Sequence, residues 1–127
     1  MVDLVDGEVE LLPGLRLLPC PGHTPGHQAV RIDGGAGRVA YFVGDALHQA
    51  QQILEPGLCP VPAARRRPLR VRALLDRASR EGALLLSPHL PFPGCGRVRA
   101  EGGGRFLWRP AGPGGADSPG ADAASNT

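Results

Sequence analysis

The sequence predicts an α+β fold, a mixed β-sheet carrying one principal helix, and two observations carry that expectation. The first half is dominated by short apolar runs bounded by Gly and Pro, at residues 9–12, 15–18, 29–32 and 39–43. Runs of that length suit strands and are too short for helices. The second half holds one clear helical stripe, Val71, Leu74, Leu75 and Ala78, at i, i+3, i+4 and i+7. Pro68 near its start and Gly82 just past its end place a helix over residues 68–81.

Taken in order, 9–12 and 15–18 are strands separated by Pro13-Gly14, and 29–32 is the third. Asp33-Gly34-Gly35-Ala36-Gly37 supplies the turn chemistry of a hairpin connection into the fourth. In Val39-Ala40-Tyr41-Phe42-Val43 both alternating faces are apolar, which predicts a strand covered on both sides. After the helix, 83–86 is a buried strand ending at Ser87-Pro88-His89, and 97–100 with 106–108 form a closing hairpin. One helix cannot cover both faces of a sheet of about five to seven strands, so some apolar sheet surface must meet something outside this chain. Self-association or poor solubility is the expected consequence.

With 127 residues, 42% of them hydrophobic, the chain has material for one core. Residues 111–127 contain no large apolar side chain and are expected to be a disordered tail, which leaves 1–110 as the folded unit. A net charge of +2 lacks the concentrated basic face that nucleic acid or a membrane surface requires. The one basic run, Arg65-Arg66-Arg67-Pro68-Leu69-Arg70, reads as a solvated helix start. Cys20, Cys59 and Cys95 are an odd, widely spaced set that argues against a disulfide framework and fits a reducing compartment. The first ten residues show no signal pattern, and no apolar run approaches the roughly 18 residues of a membrane span. A cytoplasmic location is the expectation.

The chemistry concentrates in three short segments. Gly22-His23-Thr24-Pro25-Gly26-His27 follows a strand, Val43-Gly44-Asp45 ends one, and Ser87-Pro88-His89 ends another. Imidazole, carboxylate and imidazole at successive strand ends can converge on a metal ion, so His23, Asp45 and His89 are the candidate ligands. Pro25 and Gly26 exclude a helical chelate of His23 with His27, and His27 is expected instead to hold its loop through backbone hydrogen bonds. His48 is a weaker candidate for a substrate or metal contact. Phe92 is a candidate apolar wall of a pocket, and Cys95 a small buried filler rather than a thiolate ligand.

The segments G-H-T-P-G-H, V-G-D-A-L-H and S-P-H-L-P-F-P-G-C-G-R-V resemble the later motifs of the metallo-β-lactamase-fold hydrolases, most closely a bacterial branch related to lactonases and methyl parathion hydrolases. The likeness spans roughly residues 11–110. It implies the second half of an αββα sandwich with a two-zinc site, in which His23 ligates one metal, Asp45 bridges both and also serves as the catalytic carboxylate, and His89 ligates the other. It further implies attack by metal-activated water on a small-molecule ester, lactone or phosphoester. The family's remaining ligands lie in an H-x-H-x-D-H segment that this sequence does not contain. Each metal would then keep two protein ligands where catalytic zinc normally has three, so weak metal occupancy and little activity are expected of the chain alone. A second departure is Pro60, Pro62 and the Arg run, where relatives tend to carry acidic residues before the helix. Two other readings stand beside the hydrolase. One is a non-enzymatic module or one half of a split enzyme whose partner carries the missing N-terminal ligands. The other is a small metal-binding protein that draws His27 into the first coordination sphere.

Overall fold

The computed structural model describes residues 3–58 and 67–112. Cys59, the start of the Arg run and residues 113–127 of the expected tail lie outside them. Seven strands form one sheet in sequential order: β1 Val9–Leu12, β2 Leu15–Pro19, β3 Gln28–Asp33, β4 Val39–Phe42, β5 Leu84–Leu86, β6 Cys95–Gly102 and β7 Arg105–Pro110. Every neighbouring pair is antiparallel except β4 and β5. That parallel pair needs a crossover, and the principal helix, α2 Arg67–Arg80, lies within it. The fold is thus α+β with a mixed sheet.

α2 closes one face of the sheet. Its stripe of Val71, Leu74, Leu75 and Ala78 is buried together with Leu18, Tyr41, Val43, Leu85, Val98 and Phe106 in one core. The helix stops at Gly82, whose φ of +58° is a conformation that costs glycine nothing, and Ala83 N–H closes the end by donating to Ala78 O at 2.9 Å. Just before that glycine, Glu81 ties helix to sheet. Tyr41 Oη donates to Glu81 Oε2 at 2.6 Å, Arg31 Nε donates to the same oxygen at 3.2 Å, and Arg77 Nε lies 3.6 Å from Oε1. The turn between β3 and β4 is fixed by Asp33, whose Oδ1 accepts from Gly35 N–H at 2.9 Å.

The opposite face is open. The register places Val9, Leu17, Val30, Phe42 and Leu86 in one cross-strand row and Leu12, Leu15, Ile32, Ala40 and Leu84 in the next. Phe42 is 43% exposed and Ile32 39%, so among the described residues β4 is covered on one side only. The reason is the one foreseen for the sheet as a whole: α2 supplies a layer on the Tyr41 side, and the described residues supply none on the Phe42 side. A short helix, α1 Gln51–Leu54, packs against β7. At four residues it is below the length at which periodicity can be read. Among the described residues no helix is long and apolar enough to cross a membrane.

Candidate metal centre

Because β4 and β5 run parallel to β2, the segments that follow these three strands emerge at one edge of the sheet. Each is fixed locally. The 20–27 loop is pinned at its base by Cys20 N–H donating to His27 O at 2.8 Å. The turn after β4 begins at Gly44, with φ +52°, and runs as a 3-10 turn through Asp45 and Ala46. The loop after β5 is closed by Ser87 N–H donating to Gly94 O at 2.8 Å. Gly94, with φ +70°, has the Ser87 carbonyl oxygen 3.0 Å from the position a Cβ would take, so this closure requires glycine.

These loops bring His23, Asp45, His48 and His89 together. His89 Nε2 donates to Asp45 Oδ1 at 2.6 Å, and His23 Nε2 lies 3.7 Å from the other oxygen, Oδ2. The carboxylate therefore sits between two imidazoles with one oxygen turned to each. His48 stacks on His89 with ring centroids 4.7 Å apart and lies 5.2 Å from His23. One ligand atom each from Asp45, His48 and His89 falls within 4.8 Å of the others. The side chains of His23, Asp45 and His89 are 40, 44 and 41% exposed, so the cluster is open to ions and water. The His89 hydrogen bond, helped by the nearby imidazoles, holds the Asp45 carboxyl below the usual carboxylate range. It is thus an anion where a cation needs one.

His27 stands behind this cluster. Its Nδ1 contacts Cys20 O at 3.0 Å, and its Nε2 accepts from Asp45 N–H at 3.0 Å, a pairing that assigns the ring proton to Nδ1. Both nitrogens are engaged by backbone, which leaves neither for a metal. Gly44 is again the residue that permits the approach, since a Cβ there would stand 3.0 Å from His27 Nε2. Phe92 is 99% exposed, with its ring in solvent rather than against the cluster. Cys95 is half-buried and free, and its place beside Leu86 in the sheet keeps it among the strands.

One supporting residue had no signal in the sequence. Gln52, on α1 and only 3% exposed, accepts from His48 N–H at 2.6 Å and from Gln49 N–H at 3.0 Å through the same Oε1. It holds the backbone that carries His48. A glutamine is usually a surface residue, and the capping pattern that might mark it needs its acceptor before the helix rather than inside it.

The fold has counterparts among known proteins. A model of the metallo-beta-lactamase superfamily matches residues 2–89, well over half of the 127. An N-acyl homoserine lactonase from a Bacillus species is 50% identical over 30 residues, which is 24% of this chain and 12% of that protein. In structure, the chain resembles AidC, a dizinc quorum-quenching lactonase, with a TM-score of 0.73 and 22% identity over 85% of this chain and 37% of that one. It also resembles the hydrolase AbOPH, with a TM-score of 0.68 and 24% identity over 78% of this chain and 35% of that one. The chain therefore spans little more than a third of the length of these two solved proteins. With the superfamily model covering both the 20–27 loop and the turn that carries Asp45, and ending on His89, the chain belongs to the metallo-beta-lactamase superfamily.

Proposed function

We propose that this chain contributes the metal-holding residues of a hydrolase acting on a small-molecule ester or lactone, with His23, Asp45 and His89 as ligands. The observation that supports the reading best is the Asp45 carboxylate with one oxygen toward His23 and the other toward His89. The donor set fits zinc: imidazole nitrogen and carboxylate oxygen are its ordinary ligands, and they already converge. A bound zinc ion would supply Lewis acidity and lower the pKa of water to about 7. The chain's own residues do the rest. Asp45 offers the negative charge, His27 fixes the backbone from which Asp45 projects, and Gln52 does the same for His48. The similarity to an N-acyl homoserine lactonase favours a lactone over a phosphoester.

The ligands that the resemblance assigns to H-x-H-x-D-H are not in this sequence, so slow turnover is proposed for the chain by itself. The test is hydrolysis of an N-acyl homoserine lactone and of an aryl acetate by the purified chain at saturating zinc. A rate above that of free zinc, abolished by Asp45→Asn, supports the reading. A rate no greater than free zinc would overturn hydrolysis as an activity of this chain alone. The second reading, a module that binds a partner through its sheet, rests on the open face of ten apolar residues. A zinc-inactive chain that forms a stable complex through that face would establish it.

A further inference from the structure

We infer that this chain by itself holds one divalent metal ion through three protein ligands, Asp45, His48 and His89, with His48 as the third. The inference rests on the metal-site reading above and goes beyond it, since the family's motifs assign no ligand role to His48. The two carboxylate oxygens of Asp45 divide the cluster. On the Oδ2 side stands His23, with its Nε2 3.7 Å away. On the Oδ1 side stands His89, and His48 stacks on His89. Among the described residues, Asp45, His48 and His89 form a group whose ligand atoms all lie within 4.8 Å of one another.

That spread is close to what an ion needs. Zinc–nitrogen and zinc–oxygen bonds of about 2.0–2.2 Å in a tetrahedron put neighbouring ligand atoms roughly 3.4 Å apart. Side-chain rotations of an ångström or so close the gap from 4.8 Å, and the Asp45–His89 contact of 2.6 Å opens as a cation replaces the proton between them. Coordination through His89 Nε2 calls for the tautomer that carries the ring proton on Nδ1. The backbone at His48 is already held in place, because Gln52 fixes its N–H at 2.6 Å and the buried Leu47 anchors the preceding residue. Three protein ligands and an open fourth position are the arrangement of a catalytic zinc site, where two ligands per metal would hold the ion weakly.

Cobalt(II) titration of the purified full-length chain tests this without reference to turnover. The expected result is visible d–d absorption of tetrahedral intensity that saturates at one equivalent. In His48→Gln the affinity should fall by more than the roughly 10–100-fold that loss of a merely orienting partner costs, and the band intensity should drop. Unchanged affinity and spectrum in that variant would overturn the inference while leaving a site of His23, Asp45 and His89 standing. No cobalt binding by the wild-type chain would overturn both. Should His48→Gln fail to fold, nitrogen-15 shifts of the four imidazoles in the wild-type chain decide on addition of zinc. A coordination shift at a His48 nitrogen supports the assignment, and its absence at saturating zinc refutes it.

Discussion

His27→Phe is the substitution that most directly probes how the candidate centre is held. Phenylalanine keeps a planar ring, slightly larger than the imidazole, but removes two hydrogen bonds, the 3.0 Å contact with Cys20 O and the 3.0 Å bond from Asp45 N–H. A net intramolecular hydrogen bond contributes about 1 kcal/mol, and a buried group stripped of its partner costs about 1–3 kcal/mol. His27 is half-buried, so water can reach part of what is uncovered, and the expected destabilisation is about 2 kcal/mol. With a urea m-value of about 1–1.5 kcal/mol/M for a chain of this size, the unfolding midpoint should fall by roughly 1–2 M. The larger signature is on the metal. Asp45 projects from the backbone that His27 holds, so zinc affinity should drop by about 10–100-fold, as it does when an orienting partner of a ligand is removed. Urea denaturation followed by circular dichroism and a competitive zinc titration measure the two effects. Phe92→Ala, at a 99% exposed position, is the control and should shift stability by no more than about 0.5 kcal/mol. A His27→Phe chain with wild-type stability and wild-type zinc affinity would refute the bracing role.

Glu81→Gln should cost about 1–2 kcal/mol, since it removes the charge shared by Tyr41, Arg31 and Arg77 where helix meets sheet. Burial pushes the Glu81 carboxyl up, but the bonds from Tyr41 and Arg31 outweigh it and hold it below its ordinary value. Its contribution is therefore complete above the unfolded carboxyl pKa and lost as pH falls through the lower folded value, so the difference between wild type and variant should shrink in acid. At the alkaline end, burial and the Glu81 bond push the Tyr41 hydroxyl up from 10.0 to about 12. Stability should then be full below pH 10 and decline toward pH 12, and with one tyrosine in the chain the tyrosinate absorbance reports that group alone. Leu75→Ala, in a fully buried position of α2, should destabilise by about 2–4 kcal/mol, read as a lower urea midpoint. Phe42→Ser on the open face should leave stability nearly unchanged and reduce self-association, and light scattering that shows a clean monomer in the wild type would remove the basis of that expectation.

Much of the architecture was legible because it depends on local patterning. Gly14, Gly37 and Pro13 bound the first strands, and the stripe from Val71 to Ala78 with Gly82 beyond it defines α2. What the pattern could not show is which apolar face would be covered. Tyr41 and Phe42 are adjacent and both aromatic, yet one is buried under α2 and the other is 43% exposed. Their difference is set by the side on which the crossover helix passes, a tertiary fact. The approach of His23, Asp45 and His89 to one another could be argued from strand ends, since only strand direction is needed. The contribution of Gln52 could not, because its role depends on a turn of four residues whose conformation follows from packing against β7. His48 lay between these cases: close to Asp45 in sequence, but with its stacking on His89 decided by the loop after β5.

The two faces of the sheet also separate what holds the centre from what can modify it. Val43, Leu47, Ile53 and Cys20 are buried in the core that α2 closes, and they flank the turn of Asp45, the segment of His48 and the loop of His23. Gln52 and Ser87, the buried polar residues next to the centre, bond to that same region, at the backbone of His48 and at Gly94. None of these supports draws on the open rows of Val9 to Leu86 and Leu12 to Leu84. A partner or second copy laid on the open face would therefore leave the positions of Asp45, His48 and His89 as they are, and could change only what approaches them from the sheet's edge. Metal affinity at the Oδ1 side of Asp45 should then be the same in monomer and assembly. Zinc affinity measured across a dilution series that dissociates the assembly should stay constant, and an affinity that changes with association would refute the separation of the two faces.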